Sequence, residues 1–380
     1  LSGSLDHFFR RLGKGQGSRI WGLGETTPEI KKESPEIKNK SPEKIPTFMS
    51  SVKKRPPYVE SKFEKILHSE VVNLSELKTL SWNGIPLKYR PVVWKLISGY
   101  MPANRARRES SMIRKRKEYH ESVVQFFDIV DSQRTPQEHI LLRQILVDIP
   151  RTAPQCRIFH HNVVQKSMTR VLYVWAVRHP ASGYVQGIND LLTPFYLVFL
   201  SEYLEGGCSA DINQLSEQFL NQVEADSYWC LTKLLDQIQD HYTTTQSGLQ
   251  RMVLRLEELI HRIDFALYDH LEDHGVQFIQ FSFRWMNCLL MRELPMICII
   301  RIWDAYLSEE GGFENFHVYV CAALLSKFSK DLMSLDFSSL VMFLQNLPTK
   351  AWAEDDVEPL LSQAFILSTL FENSSAHLNG

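Results

Sequence analysis

The sequence has few of the features that mark a secreted, membrane-spanning or self-contained catalytic protein. Its six cysteines, at 156, 208, 230, 288, 298 and 321, include no Cys-x-x-Cys pair. That excludes a zinc ribbon, and a chain of this length does not need disulfide staples, so they read as reduced, mostly buried thiols of an intracellular protein. Long apolar runs are missing too. The longest, Leu191 to Leu200, is interrupted by Thr193 and Pro194 and falls well short of the roughly twenty residues that cross a bilayer. Charge of one sign is not in excess: 42 Lys+Arg against 44 Asp+Glu give a net charge of -2. No global attraction to nucleic acid or to an anionic membrane follows, and any such contact must be local. Familiar catalytic patterns fail on spacing. Gly13-Lys-Gly-Gln-Gly17 lacks the Walker A order and has no strand before it. His270 and His274 share a helical face without a zinc-protease glutamate or a third ligand, and Ser182-Gly183 lacks the nucleophile elbow. Neither a resident cofactor nor a metal is expected.

What the chain does have is apolar mass, 44% of 380 residues, enough for a large core or two lobes. Residues 1–57 stand apart. Pro28-Glu-Ile-Lys31, Pro35-Glu-Ile-Lys38 and Pro42-Glu-Lys44 form a ragged repeat whose prolines veto a long helix, in a segment with few large apolar groups. A disordered low-complexity tail is expected there, with Leu5 to Leu12 able to make at most a short amphipathic helix. From Tyr58 onward the periodicity is helical. Val164, Met168, Val171, Leu172, Trp175 and Ala176 share one stripe that Pro180 terminates. Phe195 to Leu204 is apolar all round, as in a helix buried between others, with Pro194 expected at its first position. Further helices are expected over Leu215–Ile238, Val253–Ile263, Phe278–Met291 and Val318–Leu324. The fold class is all-α, with a lobe boundary near Glu205 to Asn213, where Gly206-Gly207 and small polar residues interrupt the pattern.

Two polar side chains stand out because each lies beside residues that break regular structure. Arg151 follows Pro150, with Asp148 three residues upstream able to accept from the guanidinium or its loop. Gln186 lies between Gly183 and Gly187, with Tyr184 as an anchoring ring. A guanidinium fork can neutralise the charge that spreads over a transferring phosphoryl group, and a carboxamide can both donate to and accept from an attacking water.

Ile145-x-x-Asp148-x-x-Arg151 and Tyr184-x-Gln186 resemble the paired signature of the TBC-domain GTPase-activating proteins for Rab GTPases. Gly84-Ile-Pro86-x-x-x-Arg90-x-x-x-Trp94 resembles that family's opening motif, and Phe283 to Pro295 with Arg301-Ile-Trp303-Asp304 its C-terminal half. The run from Trp175 to Asp190 is most similar to the member-22 subfamily and its yeast Ypt-directed relative. Five ordered motifs at sensible spacing carry far more weight than any one of them.

The resemblance implies a two-lobed helical TBC domain over residues 58–375, with a catalytic lobe over about 58–205 and a second lobe over about 214–375. It implies an arginine finger at Arg151 and a glutamine finger at Gln186, with Asp148, Tyr184, Gly187 and Asn189 supporting the finger loops. Arg90, Trp94, Trp303 and Asp304 match family positions but read as structural, since such residues in a helical core more often close a buried ion pair or cap a helix. The implied partner is a Rab-family GTPase in its GTP form, which brings GTP and Mg²⁺, so the chain would activate an enzyme with no self-contained active site. A cytoplasmic setting in vesicle traffic follows, peripheral on Golgi or other endomembranes. The basic runs Arg105 to Arg108 and Arg114 to Lys117 offer a local contact with acidic lipid headgroups or an acidic GTPase surface, against the commoner reading of a solvated helix face.

Overall fold

The computed structural model describes residues 55–243 and 245–371. The Pro-Glu-Ile-Lys repeat, the Leu5 to Leu12 segment and the Gly13 to Gly17 run lie outside them. Arg55, within the expected tail, has its guanidinium against Glu354 and Glu358.

Helices follow one another as α1 Pro57–His68, α2 Leu74–Trp82, α3 Arg90–Ile97, α4 Arg108–Phe126, α5 Pro136–Asp148, α6 Asn162–Arg178, α7 Ile188–Leu200, α8 Glu217–Gln237, α9 Ser247–Ile263, α10 Phe265–Asp273, α11 Ile279–Asn287, α12 Met296–Ser308, α13 His317–Lys327, α14 Ser329–Leu332, α15 Phe337–Gln345 and α16 Glu354–Phe371. The described residues contain no strand, and Val71 with Asn104 makes an isolated bridge. The fold is all-α. Local chemistry starts several helices: Asn73, Ser216, Asp264 and Asp336 accept from backbone N–H groups that would otherwise lack partners. The α6 stripe from Val164 to Ala176 is buried.

Two helices organise the core. Every residue of α7 is buried, as are all but the last of α12, the pattern of a helix enclosed by others. α12 packs against α2, α3, α7 and α16. Its Trp303 lies at 5.2 Å from Phe195 of α7 and 6.1 Å from Trp94 of α3, ring centre to ring centre. Asp304 is the acceptor of this region. It takes bonds from Arg90 Nε (3.1 Å) and Nη2 (2.9 Å), Trp94 Nε1 (2.8 Å) and the Ile85 backbone N–H (3.0 Å). All four residues of the family motif are buried, so Arg90, Trp94, Trp303 and Asp304 join the opening motif to the C-terminal half.

Two expectations need correction. α7 begins at Ile188, which puts Pro194 inside it instead of at its first position. The cost of an internal proline is a lost donor to the carbonyl four residues back. Here Thr193 Oγ1 donates to that carbonyl, of Asp190, at 2.7 Å. Second, Cys156 and Cys208 form a disulfide, with sulfurs 1.99 Å and Cα atoms 4.4 Å apart. The 3-10 turns Arg157–His160 and Gly207–Ser209 pack together and bring the two residues face to face. Cys230, Cys288, Cys298 and Cys321 are free and buried.

Candidate functional site

The first loop is set by α5. Thr135 and Glu138 close a capping box at its start, with Pro136 in the first turn. Asp148 ends the helix, and a 3-10 turn, Ile149–Arg151, carries the chain on. Ile145 and Ile149 are buried, which fixes the turn from below, while Pro150 and Arg151 are exposed. Thr152 then turns inward and donates from Oγ1 to the Asp148 carbonyl at 3.0 Å.

The second loop follows α6. His179 stacks on Trp175 and the Gly183 N–H donates to the His179 carbonyl at 2.8 Å, closing the turn at Pro180. Gly187, at φ +114°, turns the chain into α7. This backbone suits glycine, and a Cβ there would sit 2.6 Å from Asn287 Nδ2.

The two loops are joined by one polar network. Tyr184 Oη lies 2.8 Å from Asp148 Oδ2 and 3.1 Å from Asn189 Oδ1. A hydroxyl has one hydrogen to give, and the shorter carboxylate contact is the stronger acceptor. Asn189 Oδ1 accepts from the Gly187 N–H at 3.0 Å, and its Nδ2 donates to Thr152 Oγ1 at 2.9 Å. Burial pushes the Asp148 carboxyl up, while the Tyr184 hydrogen bond and the charges of Arg292 and Arg151 pull it back. Burial and the Asp148 charge together hold the Tyr184 phenol well above its usual range. Asp148 thus braces both loops: its carboxylate takes the Tyr184 hydroxyl of the second loop, and its carbonyl the Thr152 hydroxyl of its own. Among the described residues neither the Arg151 guanidinium nor the Gln186 carboxamide makes a hydrogen bond or ion pair.

Sequence reading gave no role to Thr152, Asp190, Asn287 or Arg292. Arg292 Nε and Nη2 bind Asp190 Oδ2 at 2.9 and 2.8 Å. Burial raises the Asp190 carboxyl and the Arg292 charge works against that shift. Asn287 Nδ2 donates to the Gln186 carbonyl at 3.0 Å. The only signal available was that Asn287 and Arg292 fall inside the C-terminal motif.

The basic runs are largely consumed within the fold. Arg105 and Arg108 donate to backbone carbonyls of His68, Leu67, Pro102 and Ala103. Arg116 forks onto Asp226, Lys115 lies over Trp229, and Lys117 sits beside Glu121. His270 and His274 have ring nitrogens on the carbonyls of Leu335 and His270. Among the described residues no three His, Cys, Asp or Glu side chains gather as metal ligands, and no helix is long and apolar enough to cross a membrane.

The Rab-GTPase-TBC domain family matches residues 87–333. GTPase-activating protein gyp1 of Schizosaccharomyces pombe is 50% identical over 320 residues, and TBC1 domain family member 22B of Homo sapiens 48% identical over 318. Each alignment covers 83% of this chain, which spans 62% of the length of either relative. The crystal structure of the Ypt/Rab-GAP domain of Gyp1p superposes with a TM-score of 0.78 at 48% identity, covering 83% of this chain and 98% of that one. With the helical architecture, the two joined loops and these matches in agreement, the chain belongs to the Rab-GTPase-TBC domain family.

Proposed function

We propose that the chain accelerates GTP hydrolysis by a Rab-type GTPase, offering Arg151 and Gln186 in trans to GTP and Mg²⁺ that the GTPase carries. The observation that carries this reading is a contrast within the site. The two loop backbones are locked together through Asp148, Thr152, Tyr184 and Asn189, while the two long polar side chains between them make no hydrogen bond or ion pair among the described residues. Fixed backbones with unbonded ends suit groups that complete their bonds on another molecule. The guanidinium then neutralises charge on the phosphoryl oxygens, and the carboxamide orients the attacking water. The relatives' names support the same activity. Exposed apolar side chains on α5, Ile140, Leu146 and Val147, flank the arginine loop and give the GTPase an apolar surface to rest on. Because such GTPases serve vesicle traffic, the setting we propose is the cytoplasmic side of an endomembrane, the Golgi among them.

Single-turnover phosphate release from a panel of GTP-loaded Rab GTPases tests the reading. Arg151→Ala is expected to lower the stimulated rate by roughly 10³-fold or more, and Arg151→Lys to restore little because an ammonium lacks the planar fork. Gln186→Ala is expected to remove most of the stimulation, whereas replacing the GTPase's own switch glutamine leaves much of it. Stimulation that survives Arg151→Ala would overturn the reading. A GTPase held tightly but not accelerated would make the chain a binding module.

A further inference from the structure

We infer that Asn287, at the end of α11 and 101 residues beyond Gln186, is a positioning residue for the glutamine loop; this rests on the activity proposed above. Its side chain touches the loop at the residue that matters. Asn287 Nδ2 donates to the Gln186 backbone carbonyl at 3.0 Å. Only the amide nitrogen can face that carbonyl, since a flipped amide would set two acceptors against each other. Asn287 Oδ1 is buried and has no partner, and the other contact on the amide, to Cys288 Sγ at 3.9 Å, also uses Nδ2, so no bond on the amide favours another orientation.

Asn287 is itself held. Tyr242 Oη donates to its carbonyl at 3.1 Å, and α11 fixes its Cα. The loop in turn comes close enough that Gly187 could carry no Cβ without meeting Asn287 Nδ2 at 2.6 Å and Cys288 Sγ at 3.3 Å. A few residues on, the Arg292–Asp190 pair holds the first turn of α7 from the same side. The loop is thus gripped from two directions: from the arginine loop through Tyr184 and Asn189, and from the C-terminal half at Gln186 itself. A carboxamide that must orient one water tolerates little displacement, because a shift of about 1 Å at a reacting group can cost about 10²-fold in rate. Losing the Asn287 bond releases the Gln186 peptide while Arg151 stays in place.

The experiment uses the full chain and the GTP-loaded Rab GTPase that responds most strongly in the panel. Asn287→Ala removes the donor. Asn287→Asp keeps the shape but presents a carboxylate that cannot donate to a carbonyl. Both are expected to lower the single-turnover rate at saturation by roughly 10- to 100-fold, with the half-saturating concentration changed less than about threefold. In a Gln186→Ala background, Asn287→Ala should cause no further loss, because the group it positions is gone. Silence of both variants with Gln186→Ala still damaging overturns this inference alone. So does a loss that persists in the Gln186→Ala background, which would be general damage to the domain, or one confined to half-saturation, which would make Asn287 a contact residue. If Gln186→Ala is itself silent, the proposed glutamine role falls and the inference falls with it.

Discussion

Gly187→Ala separates the cost of a backbone from the cost of a contact, because Gly183 in the same loop provides the comparison. Both glycines have positive φ, +63° at Gly183 and +114° at Gly187. A Cβ at Gly183 meets nothing within 4 Å, whereas at Gly187 it meets the Asn287 amide at 2.6 Å. Gly183→Ala therefore carries only the left-handed penalty, about 1–2 kcal/mol. Gly187→Ala lies further from any well a side chain accepts, and about 1–3 kcal/mol is expected from the backbone. The clash adds little directly, since the Asn287 amide can swing away. Swinging away surrenders its bond to the Gln186 carbonyl, however, at about 1 kcal/mol. The expected sum is about 2–4 kcal/mol for Gly187→Ala. Urea denaturation gives the stability of each variant, and single-turnover hydrolysis with the responsive GTPase gives the effect on Gln186. Stimulation should fall much more in Gly187→Ala than in Gly183→Ala. Equal losses in both assays would refute the role given to the close approach.

Removing residues 1–54 is expected to leave stability and stimulation in solution nearly unchanged, while removing 1–57 also deletes Arg55 and its ion pairs with Glu354 and Glu358; the difference, about 1.5–3 kcal/mol by denaturant titration, would vanish if Arg55 contributed nothing. Val147→Glu, at a half-exposed position on α5, should change stability by less than about 0.5 kcal/mol yet raise the half-saturating concentration roughly 10-fold by desolvating a carboxylate against the GTPase; an unchanged value removes α5 from the docking face. Burial holds the His241 imidazole down to about 4, with both ring nitrogens unpartnered. The unfolded chain takes up that proton below about pH 6.5 and the folded chain does not until about pH 4. Stability from this group is therefore complete above pH 6.5 and declines by about 1.4 kcal/mol per pH unit as pH falls through that window. Replacing His241 with Leu should flatten the slope by that amount, and an unaltered slope would show that His241 does not titrate as a buried group.

Much of the fold could be read because its signals are local. The α6 stripe repeats at helical spacing, and Pro150, Gly183 and Gly187 mark where the chain must leave regular structure, which is where Arg151 and Gln186 sit. The remainder depends on partners distant in sequence. Nothing near Asp148 says that its carboxylate goes to Tyr184, 36 residues away. The pairing of Cys156 with Cys208, 52 residues apart, needs two turns to pack together. Pro194 looked like a helix start because a proline's missing donor is harmless there. Inside α7 it is accommodated by the Thr193 hydroxyl, a compensation that spacing does not reveal. Asn287 was visible only as a letter in a motif, since its work is done on a backbone carbonyl.

The Asp304 hub bears on how the chain emerges from the ribosome. Arg90 and Trp94 find their acceptor 214 and 210 residues downstream, so for most of synthesis the opening helices carry a cation and an indole N–H with no native partner. An uncompensated buried charge costs several kcal/mol, which leaves them solvated until α12 exists. The Arg151 and Gln186 loops are finished early in translation, yet the helix that closes the core over their scaffold arrives late. Folding is therefore expected to wait for the C-terminal half, with a long exposed interval in which the nascent apolar helices need protection from one another. A fragment ending before α12 would hold both Arg151 and Gln186 in its sequence and lack the acceptor around which the opening helices assemble.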